Sequence, residues 1–120
     1  MDKDGSKLRD WKIAEDLAVQ YLKWKGYKIL QRNYRTPFGE IDIIAKTEKT
    51  YVFVEVKSGS GKRISPSERV DNKKYKKILE SAQYFLKKES LNDYAKVRID
   101  VIEVIYGTIK HYENIGWDFV

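Results

Sequence analysis

The chain contains no cysteine and one histidine in 120 residues. The absence of cysteine excludes disulfides, thiolate catalysis and cysteine-based zinc sites. A lone histidine, His111, excludes multi-histidine metal centres and leaves little room for a Ser-His-Asp triad. No run approaches the roughly 18 apolar residues of a membrane span. The opening Met1-Asp2-Lys3-Asp4 has no apolar segment behind it, so neither a signal peptide nor a membrane partner is expected, and the cytoplasm is the expected location. What the chain has is charge: 24 Lys+Arg against 18 Asp+Glu, a formal net +6. That balance points to nucleic acid or another anionic partner. The length fits one domain spanning residues 1–120, with enough chain for a two-layer core and no internal repeat.

Hydropathy patterning gives the element order. Residues 6–25 read as an amphipathic helix ending at Gly26, a residue suited to the position after a helix. Tyr27 to Tyr34 reads as a strand, Thr36-Pro37-Phe38-Gly39 as a turn, and Glu40–Lys46 with Tyr51–Lys57 as a hairpin. A basic loop follows over residues 58–67. Then comes a helix from about Ser67, as cap, to Glu89, carrying the periodic run Tyr75, Ile78, Leu79, Ala82, Phe85, Leu86. Val97–Tyr106 and Ile109–Ile115 complete an αβββαββ order, in which the second helix serves as crossover to a parallel strand.

The hairpin carries the chemistry. A four-residue connector, Thr47-Glu48-Lys49-Thr50, pairs 46 with 51, 45 with 52 and therefore Asp42 with Glu55. Opposed residues have Cβ atoms roughly 4.5–5.5 Å apart, and like charges so placed destabilise a sheet unless compensated. A divalent cation compensates them, and Mg²⁺ takes one or two carboxylates with retained water. Period two puts Lys57 on the same face as Glu55. This is the outline of a metal-dependent phosphodiesterase site. Glu40 lies two residues from Asp42, either as a supporting carboxylate or as a solvated strand end.

Two helical residues sit oddly for a simple core. Leu8, Trp11, Glu15, Ala18 and Leu22 form one stripe that should face the sheet, which places Glu15 among apolar neighbours. Two readings are open: Glu15 at the margin of the stripe paired with a lysine, or Glu15 as a third acid at the metal site. Lys74, four residues from both Val70 and Ile78, either snorkels to solvent or reaches toward a phosphate. Lys62 and Arg63 of the loop, with Arg32, Arg35, Lys73 and Lys74, are the candidates to track a nucleic-acid backbone. Tyr34 and Phe38 read as core packing ahead of base stacking. Arg98 and Asp100 read as an ion pair, and His111 as an ordinary strand residue. Gly61-Lys62 is not a phosphate-binding loop, because Val56 and Arg63 stand where that motif needs glycine and Ser/Thr.

At Asp42 and Glu55-Val56-Lys57 the chain resembles the PD-(D/E)XK nuclease superfamily, with an acid on the second strand and Glu/Asp-x-Lys on the third. A wider resemblance, to the YraN-like family of small bacterial proteins, covers nearly the whole length. It is carried by Ala14-Glu15-Asp16-Leu17-Ala18, Tyr21-Leu22, Gly26-Tyr27 and Arg32-Asn33-Tyr34-Arg35. It continues through Gly39-Glu40-Ile41-Asp42-Ile43-Ile44-Ala45, Phe53-Val54-Glu55-Val56-Lys57, Val70 with Lys74, and Arg98-Ile99-Asp100-Val101-Ile102. The departures are Ala14 for a usual glycine, Gly59 for a basic residue, and Asn114-Ile115-Gly116-Trp117 for a terminal N-A-F.

The resemblance implies an α/β fold with a restriction-endonuclease-like αβββαβ core, similar to that of archaeal Holliday-junction resolvases. It implies Mg²⁺ or Mn²⁺ held by Asp42, Glu55 and the Val56 carbonyl, with Glu15 acting directly or through water and Lys57 orienting the nucleophile. The expected function is hydrolysis of DNA, branched or with single-stranded regions; symmetrical cutting of two strands would require a homodimer. A non-catalytic nucleic-acid-binding protein of the same fold and a small protein-interaction module are the alternatives.

Overall fold

Residues Ile41 to Ala45 and Val52 to Val56 are buried without a break. A strand achieves this only when both of its faces are covered. The computed structural model, which describes residues 3–59, 71–91 and 95–115, with side chains from residue 10 onward, supplies both covers. Its elements are α1 (Lys3–Trp24), β1 (Lys28–Thr36), β2 (Gly39–Thr47), β3 (Thr50–Gly59), α2 (Asn72–Lys88), β4 (Lys96–Ile105) and β5 (Thr108–Tyr112). The strands form one mixed sheet in the order β1-β2-β3-β4-β5. β3 and β4 run parallel through the α2 crossover, and the other neighbours are antiparallel. This is the α/β architecture of a restriction-endonuclease-like core.

The two helices sit on opposite faces of the sheet. Ala14, Ala18 and Leu22 of α1 pack with Ile43, Val52, Val54, Val56 and Ile102. Ile78, Ala82 and Phe85 of α2 pack with Ile44, Phe53, Ile99 and Val101. Phe85 makes edge contacts with Phe53 and Tyr34, and Tyr34 packs there as core. Because β3 alternates, Tyr51, Phe53, Glu55 and Lys57 share the α2 side of the sheet.

Several boundaries differ from the sequence expectation. The β2–β3 connector is tighter, with Thr47 and Thr50 themselves paired and Glu48 at φ 53 in the turn. The register is unchanged, with 46 opposite 51 and 45 opposite 52. The described part of α2 begins at Asn72 behind Asp71, whose Oδ1 accepts the Lys74 amide at 2.8 Å. Asp71 is thus the cap of this helix, and Ser67 lies outside the described residues. β5 ends at Tyr112, because the Asn114 amide bonds to the Asp100 side chain instead of continuing a ladder. Trp11 leaves the buried stripe of α1 and is 36% exposed.

The end of α1 fixes where its buried face lies. The Tyr27 amide reaches the Leu22 carbonyl at 2.9 Å and the Gly26 amide reaches Lys23 at 2.9 Å, a double closure around a left-handed Gly26 at φ 94. Leu22 and Tyr27 join the same core cluster. A Cβ on Gly26 would meet nothing within 4 Å, so only its backbone conformation opposes a side chain. Gly26→Ala is therefore expected to lower unfolding free energy by about 1 kcal/mol, read by urea denaturation, with unaltered circular dichroism at zero denaturant.

Candidate active site

β2 and β3 part company at Asp42. Their ladder runs from Thr47–Thr50 to Ile43–Val54, whereas β2 stays paired to β1 through Ile41, Glu40 and Gly39. Ile43 packs on the α1 side and Ile41 on the α2 side, so regular alternation breaks at the residue between them. The Val56 amide, two residues beyond the last pair, donates to Asp42 Oδ2 at 2.8 Å. A side chain thus finishes the ladder, and the gap between the strands becomes the floor of a cleft of about 570 Å³.

Asp42 and Glu55 line that floor, and both are buried. Lys73, Lys74 and Lys77 of α2 line one wall, with Asp71 at the helix start; Glu40, Gly39 and Trp11 complete the rim. Lys74 Nζ lies 2.8 Å from Glu55 Oε1, and Lys57 Nζ lies 3.7 Å from the same oxygen. Burial pulls the Lys74 pKa down, but the hydrogen bond and charge of Glu55, with the charge of Asp42, outweigh it and hold it above 10.5. Asp42 moves the other way. Burial, then the charge of Glu55 and more weakly that of Glu15, push its pKa to about 7 against the opposing Val56 amide and Lys74.

Glu15 is buried but pinned. Arg32 Nε and Nη2 donate to its Oε1 at 3.1 and 2.9 Å, and Asn33 Nδ2 donates to its Oε2 at 2.8 Å. Its partner is an arginine rather than the lysine of one sequence reading. Asn33 makes this contact from a left-handed backbone, φ 51, just past an irregularity in β1 between Ile29 and Gln31. Arg32 also holds Asp16 at 2.6 Å, so its guanidinium is committed to α1. Arg35 is largely exposed, 3.9 Å from Glu40. Lys62 and Arg63 lie outside the described residues. Phe38 is half-exposed, against Tyr84. Sequence reasoning missed Lys77 and Trp11. Lys77 had a legible signal, four residues from Lys73 and three from Lys74 on one helix face.

The donor set fits a hard cation: two buried carboxylates facing one cleft, oxygen only. Among the described residues, the group that reaches mutual ligand spacing is not this pair. Asp100, His111 and Glu113 form the acidic and histidine group with ligand atoms within 4.8 Å of one another. Asp100 and its neighbours Arg98 and Ile102 place that group by the α1 side of the sheet, where Asp100 is level with Val54. A cation already stands there. Arg98 Nε and Nη2 bond both Asp100 oxygens at 2.9 and 3.0 Å, and Nη2 meets Glu113 at 3.1 Å. His111 Nε2 adds a 2.7 Å contact to Asp100, and Tyr21 OH reaches its Nδ1 at 3.1 Å. His111 is a half-buried member of this network, not an ordinary strand residue. Burial tends to raise the Asp100 pKa, but His111, Arg98 and the Asn114 amide hold it below 3.8.

The model of the Uncharacterised protein family UPF0102 matches residues 14–104. A UPF0102 protein of Fervidobacterium nodosum is 62% identical over 112 residues, covering 92% of this chain and 84% of its own. One from Thermotoga petrophila is 49% identical over 108 residues (90% and 97%), and one from Campylobacter lari 43% over 104 residues (87% and 90%).

The sign of the Asp42 shift makes a prediction. A carboxyl held at about 7 in the fold and at 3.8 unfolded retains a proton in the native state between those values, so stability falls as pH rises through that window. In EDTA, Asp42→Asn is expected to melt several degrees above wild type at pH 8, with the difference vanishing near pH 4. A constant difference across that range in differential scanning fluorimetry would contradict the assignment.

Proposed function

The chain belongs to the UPF0102 family, and from that premise we propose that it is a metal-dependent endonuclease hydrolysing phosphodiester bonds in DNA that is branched or carries single-stranded regions. The observation that carries this reading is the buried Asp42–Glu55 pair at the floor of a cleft walled by lysines. A structural ion pair has no need of two carboxylates facing one opening.

Asp42 and Glu55 would hold Mg²⁺ or Mn²⁺, with the Val56 carbonyl as the further donor implied by the superfamily resemblance. When bound, such an ion supplies charge to the scissile phosphate and lowers the pKa of a water. Glu15, with both oxygens already accepting hydrogen bonds, acts through water and through its field on Asp42. Lys57, beside Glu55, is placed to orient the nucleophile or stabilise charge on the phosphorane. Lys73, Lys74 and Lys77 present ammonium groups above the acids and would receive the backbone phosphates. Arg32 is better read as the clamp on Glu15 than as a phosphate contact, because Glu15 and Asp16 already hold its guanidinium. Lys62 and Arg63 add positive charge beyond β3, and Arg35 adds it near the β1–β2 turn. Symmetrical resolution of a junction would take two copies.

A second reading draws on Lys74. Its 2.8 Å pair with Glu55 neutralises one of the acids without a metal, which suits a protein that binds nucleic acid and does not cut it. The two readings separate on turnover. Labelled four-way junction, flap, duplex and single-stranded DNA are to be incubated in Mg²⁺, Mn²⁺ and EDTA. The expected result is cleavage in either metal and none in EDTA. Asp42→Ala and Glu55→Ala should reduce it to background, and Lys57→Ala by about a hundredfold. Wild-type cleavage by both acid variants would exclude this site, and binding without cleavage on every substrate would favour the second reading. Independently, Lys77→Ala should weaken binding across all sequences and lower the salt slope by about 1, measured by anisotropy between 50 and 200 mM salt.

A further inference from the structure

The acid-floored cleft continues past Trp11. The same indole that forms part of its rim also lines a second groove of about 660 Å³, with Ile13 on α1, Ser58 and Gly59 at the end of β3, and Val104 and Tyr106 at the end of β4. Trp11 is 36% exposed, Ile13 50% and Tyr106 82%. Isolated exposed apolar side chains are ordinary, but three large ones lining a single groove beside a candidate catalytic cleft mark a binding surface. The groove has the size of a small-ligand pocket. Its only charged lining residue among those described is Asp10, an acid. Phosphate is therefore repelled from this side and drawn to the lysine wall, and what the groove can accept is a flat, uncharged group.

We propose that this groove is the subsite for an unpaired nucleobase flanking the scissile phosphate, with Trp11 as its stacking platform. The inference rests on the nuclease reading of Asp42 and Glu55 and gives it a substrate class: DNA with at least one unstacked nucleotide beside the cut. β3 passes both places. It sends Glu55 to the α2 side of the sheet and Ser58, three residues and roughly 10 Å further along, to the α1 side, and Trp11, which lines both places, joins them around the end of the strand. A nucleotide whose phosphate meets Lys74 and Glu55 thus has the groove within reach of an adjacent base. A base inside a duplex is covered by its neighbours on both faces and cannot enter. An extruded or single-stranded base can, and stacking on indole is indifferent to its identity. The site therefore selects structure and not sequence.

The test is binding in EDTA, where no strand is cut. Fluorescence anisotropy compares a labelled oligo-dT strand with a blunt duplex of equal length for wild type, Trp11→Ala, Trp11→Leu and Trp11→Phe, each checked for folding by thermal melt. Wild type should prefer the single strand. Trp11→Ala and Trp11→Leu should lose about tenfold in single-strand affinity with duplex affinity unchanged, and Trp11→Phe should keep most of it. Trp11→Leu retains apolar bulk without a π face, so it decides the matter if the alanine variant does not fold. Equal losses on both ligands, no loss on either, or no single-strand preference in wild type overturns the proposal. So does light scattering showing a wild-type dimer that Trp11→Leu dissociates, because the groove would then be a contact between copies. Cleavage that depends on Asp42 and Glu55 but not on Trp11 would overturn this subsite alone. Trp11-dependent binding without cleavage would overturn only the nuclease reading.

Discussion

The carboxylate of Asp42 bonded to the Val56 amide is the joint on which the site depends. It ends the β2–β3 ladder with a side chain in place of a backbone partner, and so lets two central strands diverge without leaving a buried amide unsatisfied. The divergence opens the cleft, and it also brings negative charge into a buried place. The protein meets each acid differently. Glu15 is held by a guanidinium and an amide, Glu55 by the ammonium groups of Lys74 and Lys57, and Asp42 by a neutral N–H with the more distant charge of Lys74. Burial first, and then the charge of Glu55, displace the pKa of Asp42 to about 7.

A second charged system lies across the sheet. Arg98, Asp100, His111, Tyr21 and Tyr27 tie the end of α1, the start of β1 and both strands of the far edge into one hydrogen-bonded group. Asp100 is fully buried and accepts from a bidentate arginine, a histidine and a backbone amide. Breaking such a network leaves an uncompensated charge, at a cost of about 3–5 kcal/mol. Although its acids and histidine have metal-ligand spacing, Arg98 already supplies the positive charge. The two groups thus differ in kind: one is bridged internally by a single guanidinium, and the other opens onto a lysine-walled cleft.

Much of this was legible. The hairpin register survived an error in turn length, because shortening the loop symmetrically leaves the partners from Thr47–Thr50 to Ile43–Val54 the same, but the expected Asp42–Glu55 pair lies where the ladder has already ended. Period two then placed Glu55 and Lys57 beside Phe53, and the length of the crossover implied a parallel β4. The partners of Glu15 were not legible. They depend on an irregularity in β1 and a left-handed Asn33, neither of which the apolar pattern of Tyr27 to Tyr34 signals. The exposure of Trp11 escaped for a related reason. A helical stripe gives the direction of a side chain, not whether the sheet extends far enough beneath it. His111 was misjudged because its partners come from α1 and β4, 90 and 11 residues away.

The choice of cation at each acid follows from what that acid must do. Arg32 presents a planar fork that fixes Glu15 through two of its nitrogens, a geometry suited to permanence. Lys74 is a compact, hydrated charge on a flexible stem, and its side chain is 47% exposed. On the metal-dependent reading proposed above, an ion at Glu55 would displace Lys74, and one ammonium on a flexible stem would give way at lower cost than a guanidinium already held by both Glu15 and Asp16. The displaced lysine stays on the cleft wall between Lys73 and Lys77, where a phosphate would enter. On that reading, the residue that balances Glu55 at rest would balance the substrate once the acid had a metal partner.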